Sequence, residues 1–273
     1  MIRLGLIGYP LGHSLSPKIH AAALKACNLQ GDYSLFPIHP EDKPALQALL
    51  ARVRAGEITG LNVTIPHKQN VIEFMDELTP TAQAIGAVNM IYMRGDKLIG
   101  DNTDATGFLS DLKRVSNSSF SIPHSALVLG AGGSARAVVY ALLNDGWNVT
   151  ITARRIEQAQ QLASSFTNYQ LQVADFSSFS IHHSSLLVNT TPLGMTPNTE
   201  TSPLPENTVL SKNTFVYDLV YNPRETKLVR DAHAQGLNAS TGLGMLIEQA
   251  ALAFEKWTGV NPDRTAMQQA VSA

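Results

Sequence analysis

At 273 residues, with 44% apolar and 15% charged side chains, the chain suits one large α/β domain or two smaller ones and is too apolar for a disordered segment. A net charge of −2 gives no reason to invoke nucleic acid or an anionic membrane surface, and no stretch is long enough to span a bilayer. The single cysteine, Cys27, cannot close an internal disulfide, no C-x-x-C or H-E-x-x-H pattern supplies a metal site, and His182-His183 reads as a solvated pair in a polar loop.

The N-terminus reads as a first strand and turn, with an apolar stretch too short for a signal peptide. A cytoplasmic location follows as an expectation, and sequons such as Asn62-Val-Thr64 then carry no glycosylation meaning. Periodicity predicts strands at 4–7, 33–38, 60–63, 87–93 and 97–100, with helices at 17–27 and 43–53, a small α/β sheet of its own. A helical pattern at 103–115 leads into a second sheet with strands at 126–129, 149–153, 186–190 and 215–218. Stretches 116–123 and 192–207, rich in Asn, Ser and Pro, read as loops. After Gly242-Leu-Gly244 a helix at 245–257 has apolar residues spaced to bury one face. The expected fold is therefore an N-terminal α/β substrate domain, residues 1–103, plus a Rossmann-type dinucleotide-binding domain, residues 104–241, with the C-terminal helices, 242–273, returning to the first domain and the substrate in the cleft between two lobes.

The run from Ala126 to Ala135, Ala-Leu-Val-Leu-Gly-Ala-Gly-Gly-Ser-Ala, carries the sharpest signal. Gly130, Gly132 and Ala135 keep the G-x-G-x-x-A spacing between a strand and an apolar helix. Gly130 permits a tight turn, Gly132 lets a pyrophosphate approach the backbone, and Ala135 lets the helix pack closely on its strand. The next strand ends in Ala153-Arg154-Arg155, where an NAD site would usually present a carboxylate to the ribose. Guanidinium there favours NADP, because arginine is a permanently charged fork suited to a 2′-phosphate.

Three segments look chemical. In Ser14-Leu-Ser16, two hydroxyls in an extended segment would point the same way toward one anionic oxygen pair, although Ser16 before Pro17 taken alone reads as a helix cap. Gly60-Leu-Asn-Val-Thr-Ile-Pro-His-Lys68 ends a short apolar strand in polar residues, and Asp101-Asn-Thr-Asp104 precedes the crossing helix with cap-competent side chains. The sharper reading pairs Lys68 with Asp104.

Taken together, these segments resemble the shikimate dehydrogenase family. The likeness also rests on Gly86 to Asn89, Asn189 to Met195, Asp218 to Pro223 and Gly242 to Gln249, in family order across both lobes. It implies reversible, NADPH-dependent reduction of 3-dehydroshikimate to shikimate. Ser14 and Ser16 would hold the substrate carboxylate, and Thr64, Asn89, Asp104, Tyr221 and Gln249 would surround its ring and hydroxyls. Lys68 and Asp104 would be the catalytic pair. Gly130, Ala131, Gly132, Gly133, Ser134 and Ala135 would cradle the pyrophosphate, Arg154 would meet the 2′-phosphate, and Met195, Gly242 and Met245 would line the nicotinamide. Many members carry Asn-Arg-Thr and a further Arg where this chain has Ala153-Arg154-Arg155 and Gln158, so Arg155 is the residue that could replace the missing charge. The alternative within the family is a quinate/shikimate dehydrogenase with relaxed substrate and NAD/NADP use. The resemblance implies a small-molecule partner, no metal, and a monomer or homodimer.

Overall fold

The structure, a computed structural model, describes residues 1–116, 124–175 and 184–272. The His182-His183 reading, and the loop reading beyond Ser116, lie outside the described residues.

The chain forms two compact units, Met1–Gly107 with Ile247–Ala273, and Phe108–Leu246. The division falls a few residues later than residues 103 and 241. Both junctions lie inside continuous helices, where no turn residue marks the change.

The first unit opens with β1 (Ile2–Gly8), α1 (Ser16–Ala26), β2 (Gly31–Pro37), α2 (Lys43–Arg54) and β3 (Gly60–Val63). It continues through α3 (His67–Asn70), β4 (Glu77–Leu78), α4 (Pro80–Ile85), β5 (Met90–Arg94), β6 (Lys97–Asp101) and the first turn of α5 (Asp104–Ser116). Helix starts follow local chemistry: Asp42 accepts from the Ala45 amide at the start of α2, and the Thr79 hydroxyl accepts from Ala82 at the start of α4. Gly86, with φ +68°, ends α4 in the left-handed conformation that favours glycine. Ile7, Leu50, Val53, Leu61, Ile91 and Leu98 share one buried cluster between sheet and helices.

The six strands lie in the order β2-β1-β3-β5-β6-β4. Strands β1, β2 and β3 run parallel, but β5 runs antiparallel to both β3 and β6. This reversal decides where the polar residues gather. The start of β5 lies beside the end of β3, with Asn62 paired to Met90, and beside the end of β6, with Met90 paired to Asp101. At the far end the β5–β6 hairpin closes with Arg94 opposite Lys97. The strand expected from residue 87 begins only at Met90, because Val88 donates its amide to the Lys68 carbonyl at 2.7 Å instead of to a ladder.

The second unit contains β7 (Ser125–Leu129), α6 (Gly133–Asn144), β8 (Asn148–Thr152), α7 (Ile156–Ser164), β9 (Leu171–Val173), β10 (Leu186–Asn189), β11 (Phe215–Asp218), α8 (Lys227–Ala234) and β12 (Ala239–Thr241). All six strands are parallel, ordered β12-β11-β10-β7-β8-β9, a doubly wound Rossmann-type sheet. Helix α9 (Leu243–Thr258) begins in this unit and continues into the first, followed there by α10 (Arg264–Ser272). No helix among the described residues is long and apolar enough to cross a membrane.

Candidate active site

In the first unit, Lys68 Nζ lies 2.6 Å from Asp104 Oδ2. Their side chains are only 13% and 6% exposed, so replacing either residue by an uncharged one would leave the other's charge uncompensated away from water. The other Asp104 oxygen accepts from Asn89 Nδ2 at 2.9 Å. Asn89 also donates to Thr103 Oγ1 and to Gln249 Oε1, while its own Oδ1 accepts from the Thr103 amide at 2.8 Å. Thr103 in turn donates to the Gln249 carbonyl, which ties α9 to this cluster. Gly107 permits that close approach, since a Cβ there would lie 2.8 Å from the Gln249 amide nitrogen.

Asp104 begins α5 but does not cap it, because both carboxylate oxygens are turned to Lys68 and Asn89. Its amide is instead held by Asn102 Oδ1 at 3.0 Å, and Asp101 accepts from Thr79 and from the Asn102 amide. Each cap-competent side chain in this segment thus has a different task.

Ser14 and Ser16 precede and open α1, but not as an extended pair: Leu15 between them is helical, with φ −85° and ψ −10°. The capping expectation for Ser16 also fails: Leu15 is the residue at the cap, Ser16 is already in the first turn, and Ser14 Oγ accepts the Ser16 amide at 3.3 Å. The Ser16 hydroxyl itself makes no hydrogen bond among the described residues. Thr64 follows β3 and leads through the cis Ile65-Pro66 bond into α3, which carries Lys68.

Sequence reasoning missed Asn62 and Thr103 as members of this cluster. Asn62 is buried, accepts from the Tyr33 hydroxyl at 2.8 Å and donates to the Asn89 carbonyl at 3.3 Å. A polar side chain between Leu61 and Val63 in a buried strand needs such partners, and that was the available signal.

In the second unit, Gly130 follows β7 with φ +111°, and a Cβ there would meet Thr190 Oγ1 at 2.5 Å. Thr190, just beyond β10, donates to the Leu129 carbonyl through both its amide and its hydroxyl, so it fixes the floor of the turn. Gly132 is the N-cap of α6 and offers no side chain to the orphan amides of the first turn. A Cβ on Gly132 would meet nothing within 4 Å, so the space beside these amides is open. Ala131, Gly133 and Ser134 are part-exposed around this opening, while Ala135 is fully buried against the sheet. An uncapped helix start facing open space where the sheet order switches between β7 and β10 fits a pyrophosphate, and therefore a dinucleotide such as NADP.

Arg154 and Arg155 are exposed just beyond β8. Met195 is 42% exposed, whereas Met245 is only 7% exposed. Gly242 lies against the Leu219 backbone, where a Cβ would stand 2.4 Å from the carbonyl oxygen. Burial raises the Tyr221 phenol above its usual range. Among the described residues no group of three or more His, Cys, Asp or Glu side chains could hold a metal.

Three family models match along the chain: the shikimate dehydrogenase substrate binding domain over residues 6–91, shikimate / quinate 5-dehydrogenase over 115–225, and the shikimate 5′-dehydrogenase C-terminal domain over 242–271. Shikimate dehydrogenase (NADP(+)) of Salinibacter ruber is 42% identical over 277 residues, covering 98% of this chain and 96% of the relative. The crystal structure of shikimate 5-dehydrogenase from Thermus thermophilus in complex with NADP(H) and shikimate superposes with a TM-score of 0.87 at 39% identity, covering 99% of this chain and 98% of that one. Quinate dehydrogenase from Corynebacterium glutamicum in complex with NAD matches with a TM-score of 0.88 at 31% identity, covering 98% of each chain. Similarity of this depth runs through both units, and the chain belongs to the shikimate dehydrogenase family.

Proposed function

We propose that this chain catalyses the reversible NADPH-dependent reduction of 3-dehydroshikimate to shikimate in aromatic amino acid (chorismate) biosynthesis. The observation that carries the reading is the shielded Lys68–Asp104 pair, 2.6 Å apart and held from behind by Asn89. Binding alone would not require such a pair.

NADPH, when bound, supplies the hydride. The chain must deliver a proton to the ketone oxygen as negative charge develops there, and the Lys68 ammonium is the donor suited to it. Asp104 orients Lys68 and the same hydroxyl, and in the oxidative direction the pair accepts the proton. Ser14 and Ser16 are assigned to the substrate carboxylate, and Thr64, Asn89, Tyr221 and Gln249 to its ring and hydroxyls. The free hydroxyl of Ser16 supports its part in this. Gly130 through Ala135 are assigned to the pyrophosphate, Arg154 and Arg155 to the 2′-phosphate, and Met195, Gly242 and Met245 to the nicotinamide. The enzyme is assigned to the cytoplasm, in keeping with the lone Cys27, and is taken to act as a monomer or homodimer.

The test follows NADPH absorbance with 3-dehydroshikimate, and the reverse reaction with shikimate and NADP⁺, each repeated with NADH or NAD⁺ and with quinate. Turnover of the shikimate couple with preference for NADP supports the proposal. No turnover with that couple overturns it, and equal rates with quinate or NAD would move the assignment to the relaxed quinate/shikimate enzymes.

A further inference from the structure

Behind the Lys68–Asp104 pair runs a line of polar contacts, from part-buried Tyr33 to buried Asn62 and Asn89, that the reaction chemistry does not by itself call for. Tyr33 lies on β2, separated from β3 by β1. Its hydroxyl reaches Asn62 Oδ1 at 2.8 Å. The Asn62 amide bridges onward, donating from Nδ2 to the Asn89 carbonyl at 3.3 Å, an oxygen that also accepts the Val63 amide at 2.8 Å.

We propose that Tyr33 is a positioning residue for the reaction, acting through Asn62 to fix Asn89 and thereby the Asp104 carboxylate. The proposal rests on the functional reading above.

The argument is one of donors and acceptors. A carbonyl only accepts, so the Asn62 nitrogen must face Asn89 and its oxygen must face Tyr33. The Tyr33 hydroxyl, 2.8 Å from that oxygen, donates to it and favours this orientation of the amide. With Asn62 set, the Asn89 backbone is gripped at its oxygen by Asn62 and Val63 and at its nitrogen by the Asp101 carbonyl, 3.0 Å away. The Asn89 side chain is then committed at both ends, to the Thr103 amide and to Asp104 Oδ1. Asp104 Oδ2 completes the line at Lys68.

The Tyr33 ring is itself fixed. His20 stacks on it at 4.3 Å with an interplanar angle of 5°, and Trp257 stands 5.7 Å from the His20 ring. His20 is fully buried, and burial holds its imidazole at about 3, so the stack stays neutral through the working range of pH. Tyr33 is therefore presented to Asn62 in one plane.

The test is a double-mutant cycle on the full-length enzyme with Tyr33→Phe and Asn62→Ala, reading kcat, both KM values and Tm. Loss of one net hydrogen bond's influence predicts about a five-fold fall in kcat for Tyr33→Phe, with KM for 3-dehydroshikimate and for NADPH changed less than about two-fold. In the Asn62→Ala background the same change should alter kcat by less than about 1.5-fold, because its route is already cut. A merely structural role would lower Tm and leave kcat at the wild-type value. Unchanged kcat in Tyr33→Phe, or the same fall in both backgrounds, overturns the proposal. If Asn62→Ala fails to fold, the kcat-against-KM split of Tyr33→Phe decides alone. A wild-type enzyme without turnover removes the functional reading and this inference with it, whereas an active wild type matched by Tyr33→Phe removes the inference only.

Discussion

Lys68 and Asp104 lie 36 residues apart in sequence, yet each supplies the other's nearest charge. Replacing Lys68 with Ala removes the proposed proton donor and leaves Asp104 with one partner fewer, so kcat should fall by about 10²-fold or more, with a smaller change in KM, as steady-state assays would show. An enzyme with full kcat and only a raised KM would contradict the role. A second residue has a consequence for stability. Asp218 is fully buried among Asn189, Val220 and Thr226, and burial raises its carboxyl to about 6, only partly offset by those three hydrogen bonds. Its folded pKa lies above the ordinary value of 3.8, so the folded state holds the proton more tightly, and stability from this group is full below pH 3.8 and is lost as pH rises through 6. Asp218→Asn should therefore gain on the wild type between pH 4 and pH 8 by up to about 3 kcal/mol in denaturant unfolding. No pH-dependent difference between the two proteins would contradict this account. Lys68 and Asp104 were legible in sequence because charged residues beside motif-like turns are conspicuous. Asn62, Tyr33 and Thr103 were not, because their importance lies in partners that only the strand register brings together.

Among the elements, α6 offers the cleanest separation of folding from cofactor binding. At Gly132 the backbone has φ −83°, which any residue adopts, and a Cβ would meet no protein atom within 4 Å. Gly132→Ala should thus leave Tm of the ligand-free protein unchanged while raising KM for NADPH by about ten-fold, or ~1.4 kcal/mol. A lower Tm with unaltered KM would show that the glycine serves the turn rather than the phosphate. The long elements were legible in sequence because their apolar residues repeat at the right period. Helix α7 buries only Ala159 and Leu162 and α10 only Met267 and Val271, too few apolar positions to stand out. The three-residue edge strands β9 and β12, and two-residue β4, are too short for alternation to show. Ser16 was misread as a cap because Ser-Pro fits both the cap position and the first turn.

For the molecule as a whole, sequence located two sheets and the cofactor fingerprint, but it placed the unit boundaries a few residues early because the chain changes unit within α5 and α9. A ligand that binds only the folded second unit should stabilise it by mass action. NADPH at 100 times its Kd should add about 2.7 kcal/mol, read as a concentration-dependent rise in Tm that NADH does not match at equal concentration. A rise of the same size with NADH would count against the arginines beyond β8 as the basis of cofactor choice.

The antiparallel hairpin of β5 and β6 gives the enzyme a remote handle. One end leads to Asn89 and Asp104, the opposite end is the turn at Gly95, where φ is +63° and an added side chain would meet nothing within 4 Å, and five paired rungs fix the register between them. A peptide tag or fluorophore grafted into that turn should leave the rate of NADPH consumption at its wild-type level, which makes this hairpin tip the place to tether the enzyme to a surface or reporter while it works.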